Sequence, residues 1–302
     1  MLHVARLVLC MALSFKGEDT PRFNVPFPTL GGTQLWADVF WHAGWRIQRN
    51  VLTGHHRLLD PRDVRRAWGS LDGCRSTFER RQRPRLAPLA GDRLVVLLHG
   101  LGRSRHSLRR MERALAAEGY LTASLSYPST RGTIGEHADD LERLLRDLPG
   151  GLEVSFVTHS LGGLVVRELL SRPGALEPHL RGGRVVMLAP PNAGSRTARI
   201  ADAAPLVRAL LGPALHEIAR LHARPAGRVP LEVGVVAAGR GRPRGWNPLL
   251  EGDDDGIVSV DETRLPGATD STTLRGIHTT LMGDPEIIAA TLRFLRSGSF
   301  GG

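Results

Sequence analysis

Apolar residues along much of the chain come in short, almost unbroken runs rich in β-branched side chains: Leu94–Leu98, Leu121–Leu125, Leu152–Val157, Val185–Leu188 and Leu231–Ala238. Runs of that kind suit strands covered on both faces, as in a parallel sheet. Between them Ser107–Glu118 and Ile134–Leu148, and after them Pro285–Leu295, place apolar residues three and four apart, with proline suited to a first helical turn. Strand and helix patterns alternate, which predicts an α/β fold with a doubly wound, mostly parallel sheet.

Upstream the pattern changes. Trp36, Val39, Phe40, Ala43, Ile47 and Val51 recur at steps of three and four, so one amphipathic helix is expected from near Thr33. Its aromatic face would pack on the following domain; the alternative is a helix lying on a membrane, with Arg46 and Arg49 as headgroup contacts. From Thr77 to Gly91 the chain turns arginine- and proline-rich, as in Arg80-Arg81-Gln82-Arg83-Pro84-Arg85, and reads as a solvated linker. This divides the chain into a partly helical N-terminal extension, 1–90, and a main domain, 91–302.

One junction carries chemistry. The strand-like run ends at Val157-Thr158-His159-Ser160, two glycines follow at 162 and 163, and Leu164-Val165-Val166 continues with helical spacing. A serine at such a strand-turn-helix junction is forced into strained backbone and sits where the helix N–H groups can hold an anion. The alternative is an ordinary serine at a strand-to-helix turn, serving as N-cap. The run before His99-Gly100-Leu101-Gly102 ends in a second glycine-flanked turn.

The segment Thr158-His159-Ser160-Leu161-Gly162 resembles the G-x-S-x-G nucleophile elbow of the α/β-hydrolase superfamily, in particular its lipase- and esterase-like members, with Thr158 in place of the first glycine. The resemblance covers about residues 92 to 296. It implies that Ser160 is the nucleophile and that the backbone N–H groups of Leu101 and Leu161 form an oxyanion hole. It also implies the chain order serine, acid, histidine. Only His278 of the twelve histidines follows the cluster Asp253-Asp254-Asp255-Gly256-Ile257-Val258. The similarity to a D-G-[IV]-V signature selects Asp255 as the acid, with Asp253 and Asp254 as fallbacks. The apolar stripe from Ile200 to Leu221, broken by Pro205 and Pro213, then corresponds to a small helical cap within 190–230; read from the residues alone, it is equally a single kinked surface helix.

On this reading the protein is a carboxylic ester hydrolase working through Ser160, His278 and Asp255, without metal or organic cofactor, on a small-molecule or lipid ester. Amide or thioester hydrolysis, acyl transfer on the same triad, and a catalytically silent binding protein on this fold are the alternatives. Ser195, in the loop after Val185–Leu188, reads as a turn or N-cap hydroxyl. A calcium loop is disfavoured for the aspartates, which lack the alternation of an EF-hand.

Composition changes this picture little. The 302 residues carry a net charge of +10, almost wholly arginine, since Lys16 is the only lysine. That skew reads as composition bias ahead of docking to anionic surfaces, and no nucleic-acid-binding module accompanies it. Cys10 and Cys74 make neither a disulfide framework nor a zinc spacing. The apolar opening Met1–Leu13 is too short to span a bilayer and lacks a small-residue cleavage site, so a cytoplasmic location is expected.

Overall fold

The computed structural model describes residues 27–28, 34–82, 91–174, 176, 178–221 and 229–301. Six strands form one parallel sheet: β6 (Arg93–Leu98), β7 (Leu121–Leu125), β8 (Glu153–His159), β9 (Arg181–Leu188), β10 (Glu232–Gly239) and β11 (Asp270–Arg275), in spatial order β11-β10-β9-β8-β6-β7. Helices cover both faces, because the interior strands β6, β8 and β10 are buried on both sides, while the edge strand β11 alternates between half-buried and exposed positions. Leu94, Val96 and Leu98 of β6 pack with α3 (Ile134–Arg146) and α4 (Leu161–Leu170). Val95 and Leu97 pack with α2 (Arg109–Ala117) and α8 (Pro285–Ser297). This is the α/β architecture expected from the alternating pattern. From β6 the chain winds outward to β7, then returns to build β8–β11 on the other side. The carboxyl ends of β6 and β8 therefore flank the switch point, the crevice where such sheets bind ligands.

The N-terminal region differs from expectation. The described residues 34–51 do not form a helix, and Thr33 itself lies outside the described residues. They form β2 (Trp36–His42) and β3 (Trp45–Asn50), joined through Ala43 (φ 46°) and Gly44 (φ 83°). Two successive positive φ values make a tight hairpin turn and end any helix. With β1 (Phe27–Pro28), β4 (His56–Leu59) and β5 (Val64–Gly69) they make a five-stranded antiparallel sheet, ordered β1-β5-β4-β3-β2. Its two faces explain why apolar spacing misled. Ile47, Leu58 and Ala67 lie on one face under Cys74 and Phe78 of α1 (Leu71–Gln82). The other face is buried but polar: Gln48 donates to Asp38 (2.8 Å), Arg57 donates to Gln48 (2.9 Å), and Arg46 pairs with Asp38 and Asp63. A β-bulge between Asp38 and Phe40 further breaks the two-residue alternation of β2.

The helix on which Arg46 and Arg49 would lie is replaced by strands, in which Arg46 is 2% exposed and Arg49 binds Asp140 at 2.9 Å. Residues 77–82 belong to α1 and bury Phe78, so the solvated linker does not begin at Thr77. Residues 83–90, Cys10 and Met1–Leu13 lie outside the described residues. The sheet docks on the α/β domain through Asp38, whose N–H donates to the Ser126 carbonyl (2.9 Å) and whose carboxylate accepts from the Ser126 N–H (2.6 Å).

The stripe after β9 is three short helices, not one kinked one: α5 (Arg196–Asp202), α6 (Pro205–Leu211) and α7 (Pro213–Arg220). Each proline opens its helix at the first turn, and Gly212, at φ 79°, turns the chain between α6 and α7. A Cβ at Gly212 would lie 2.0 Å from the Thr130 carbonyl oxygen. Among the described residues no helix is long and apolar enough to cross a membrane.

Candidate active site

Strand β8 ends at His159 and α4 starts at Leu161, leaving Ser160 between them at φ 52°, ψ −120°. A non-glycine residue there costs about 1–3 kcal/mol and persists only where its surroundings enforce it. Here the Ser160 N–H donates to the Leu188 carbonyl of β9 (2.9 Å), and α4 is pressed against β6. A Cβ on Gly162 would lie 2.7 Å from the Leu98 carbonyl oxygen, so only glycine permits this approach. Thr158 is tolerated where the resemblance expects glycine because Gly163 yields room: a Cβ there would stand 3.3 Å from the Thr158 hydroxyl.

Ser160 lines a cavity of about 310 Å³ at the carboxyl edge of the sheet. Leu101, His159, Ser195 and His278 share its wall, and Ala198, Leu215 and Ile218 of the short helices make it largely apolar. His278 follows β11. Its N–H donates to the Asp255 carbonyl (2.9 Å), and its Nδ1 meets Asp255 Oδ2 at 2.6 Å. The other carboxylate oxygen accepts from the Ile257 and Val258 N–H groups (3.0 and 2.8 Å). An ionised carboxylate only accepts, so Nδ1 carries the proton and Nε2 is left to accept one. The neighbouring aspartates point elsewhere. Asp253 accepts from the N–H groups of Arg240, Gly241 and Asp254; Asp254 accepts from those of Trp246, Asn247 and Gly256.

Around Ser160 the two expected N–H donors come from short structural commitments. Leu161 opens α4, where an N–H has no carbonyl one turn back. Leu101 follows Gly100, where a Cβ would sit 2.8 Å from His159 Nδ1 and 3.1 Å from Ser160 Cβ. Ser195, also on the wall, caps α5 by accepting from the Ala198 N–H, as an N-cap hydroxyl does. Among the described residues no group of His, Cys, Asp and Glu could hold a metal ion.

Gln34 is a member of this region that sequence reasoning did not find. From the N-terminal region it donates to the Arg103 carbonyl (2.8 Å) and accepts from Ser129 Oγ (3.1 Å) and the Thr130 N–H (2.9 Å). Ser129 Oγ in turn accepts from the Gly102 N–H (3.0 Å). A polar residue in a turn, reaching partners some 70 to 96 positions away, leaves no local signal.

Three buried histidines surround the two turns. Burial pushes His99 and His137 down to about 4. His159 is lowered as well, first by burial and then by the positive potential of His278 and Arg103. His99 stacks on Tyr127 (4.4 Å between centroids), which meets His137 edge-on. A histidine depressed from 6.5 to about 4 binds its proton more readily when unfolded. Its contribution is therefore complete above pH 6.5 and is lost as pH falls towards 4. At about 1.4 kcal/mol per pH unit, each of the two is worth on the order of 3 kcal/mol. The urea midpoint is expected to fall steeply between pH 6.5 and 4, and His137→Phe is expected to flatten that fall; a midpoint level from pH 7 to 4.5 would contradict the buried neutral state.

A family model described as Domain of unknown function (DUF7379) matches residues 67–238, which takes in the elbow but stops short of Asp255 and His278. No curated protein matches the chain. Among solved structures, the mature lipase BlEst2 of Bacillus licheniformis superposes with a TM-score of 0.55 at 21% identity, covering 70% of this chain and 95% of that one. The lin2722 product of Listeria innocua aligns with a TM-score of 0.49 at 16% identity over 68% of this chain and 94% of that one. The metagenomic carboxyl esterase MGS0156 gives 0.44 at 20%, over 64% and 66%. The likeness to the lipase shows the α/β-hydrolase fold.

Proposed function

We propose that this chain, which belongs to the family described as Domain of unknown function (DUF7379), is a serine hydrolase of carboxylic esters whose catalytic unit is residues 91–302. The observation that carries the reading is a strained serine, at φ 52° between β8 and α4, on the same cavity wall as a histidine whose Nδ1 is bound to a buried carboxylate. A serine hydroxyl is a weak nucleophile until a neighbouring base takes its proton. In the proposed reaction Ser160 Oγ attacks the ester carbonyl carbon as its proton passes to His278 Nε2. The N–H groups of Leu101 and Leu161 hold the oxyanion, and Asp255 stabilises the imidazolium. Collapse breaks the C–O bond, and His278 gives the proton to the departing alcohol. Water then repeats the cycle on the acyl-enzyme, returning the acid and free Ser160. The apolar cavity suits an acyl chain or a lipid ester, and these residues do the chemistry without a cofactor.

Two measurements test this together: hydrolysis of 4-nitrophenyl butyrate, and labelling by a fluorophosphonate with the mass shift mapped to the peptide containing Ser160. Failure of both removes the reading. Gln34 enters as a positioning residue, since it braces the loop that presents the Leu101 N–H. Gln34→Ala is expected to lower kcat by about tenfold with KM little changed, as loss of part of an oxyanion donor's alignment does. Gln34→Glu, which keeps the acceptor but not the donor to Arg103, should fall between. A KM effect with unchanged kcat would assign Gln34 to the fold alone.

A further inference from the structure

Among the described residues, Arg103 is the only arginine, lysine or carboxylate side chain on the wall of the catalytic cavity. Among the described residues no carboxylate lies within ion-pair distance of it. Its guanidinium donates to the Thr279 carbonyl (2.8 Å), next to His278. A guanidinium has five N–H donors, so one carbonyl leaves most of them free for a ligand. Its backbone is fixed: its N–H donates to Gly100 O (3.1 Å), and its carbonyl accepts from Gln34. A preorganised cation without a counter-charge, at the edge of an otherwise apolar pocket, is an unspent anion-recognition device. His159 adds a second sign. It is 2% exposed on the same wall, and among the described residues its ring has the His278 backbone as its one polar neighbour.

Resting on the hydrolase reading above, we infer that Arg103 is a specificity residue and that the preferred substrate is an ester with an apolar acyl chain and a negatively charged alcohol. The side is set by the chemistry. His278 must return a proton to the leaving oxygen, so the alcohol departs on the side of His278, and that is where Arg103 reaches, through Thr279. The acyl chain takes the opposite, apolar part under α5 and α7, lined by Ala198, Leu215 and Ile218. A carboxylate or a phosphate on the alcohol offers paired oxygens to the guanidinium fork. The positive potential of Arg103 also helps keep His159 uncharged, so that wall offers a neutral donor beside one fixed cation.

The test compares kcat/KM for two pairs of butyrate esters that differ in charge: 4-(butyryloxy)benzoate against its methyl ester, and butyryl glycerol 3-phosphate against monobutyrin. In each pair the charged-to-neutral ratio is measured in the wild type and in Arg103→Gln, so that intrinsic reactivity cancels. A ratio that falls at least about tenfold in Arg103→Gln and is largely kept in Arg103→Lys supports the inference. The pair that shows it identifies carboxylate or phosphate as the recognised group. Raising salt from about 0.05 to about 0.5 M should lower the wild-type ratio too, because a partly exposed ion pair is screened. This arm needs no variant. Ratios unchanged by both substitution and salt, with the neutral esters still cleaved, overturn the role of Arg103 and leave the hydrolase reading standing. No cleavage of any ester and no fluorophosphonate label overturns both.

Discussion

Ser160→Ala is expected to reduce ester hydrolysis by on the order of 10⁴-fold or more, leaving the protein folded. Removing the nucleophile of a triad removes the covalent route whole, and what remains is the oxyanion hole and binding. Alanine keeps the Cβ, so it keeps the strain of φ 52°, and its urea midpoint should match the wild type. Ser160→Gly separates strain from chemistry. Glycine has no penalty at positive φ, which returns about 1–3 kcal/mol, less about 1 kcal/mol for its freer unfolded chain. The glycine variant should therefore be inactive and more stable than the wild type. That combination marks a residue held in an unfavourable geometry for its reactivity. An alanine variant keeping more than about 1% of activity would place the nucleophile elsewhere, with Ser195 the next hydroxyl on the wall.

The α/β half was legible because each of its signals is local. Strands buried on both faces have no polar side, so Leu94–Leu98 and Val185–Leu188 read as strands directly, and the structure extends the latter back to Arg181 through Gly182 and Gly183, which carry no apolar signal. The elbow reads as strand, turn and helix because its glycines are required by contacts one strand away. The N-terminal sheet was not legible for the opposite reason. Its inward face is Asp38, Arg46, Gln48 and Arg57, which satisfy one another across strands. Interior of that kind looks like surface to any reading based on hydrophobicity, and the remaining apolar positions happen to fall at helical steps. The contacts it makes with the α/β half, Gln34 to Arg103 and Asp38 to Ser126, are polar and remote in sequence, so its place against the site could come only from coordinates.

Three consecutive aspartates left the triad acid open in the sequence, and Asp255→Asn tests the one bonded to His278. Asp255 Oδ1 accepts two backbone N–H groups, from Ile257 and Val258, and only an oxygen can stay there. The asparagine amide must therefore keep its oxygen on those donors and turn its NH₂ towards His278 Nδ1. Facing a donor, Nδ1 becomes the acceptor and the ring proton moves to Nε2, the atom that in the proposed reaction receives the proton of Ser160. The expected result is a fall in kcat of about 10⁴-fold with the fold intact, the loss seen when an asparagine imposes the wrong tautomer. Fluorophosphonate labelling should slow by a similar factor, since it needs the same proton transfer. Asp253→Asn and Asp254→Asn are the controls. Each of those carboxylates accepts from backbone N–H groups around residues 240 to 256, which an asparagine oxygen can still do in part, and neither touches His278. Both should keep activity within about tenfold of the wild type, a size that fits a shifted loop and not a lost catalytic contact. If Asp254→Asn were instead as inactive as Asp255→Asn while folded, the 2.6 Å contact between Asp255 and His278 would not be the one that orients the base.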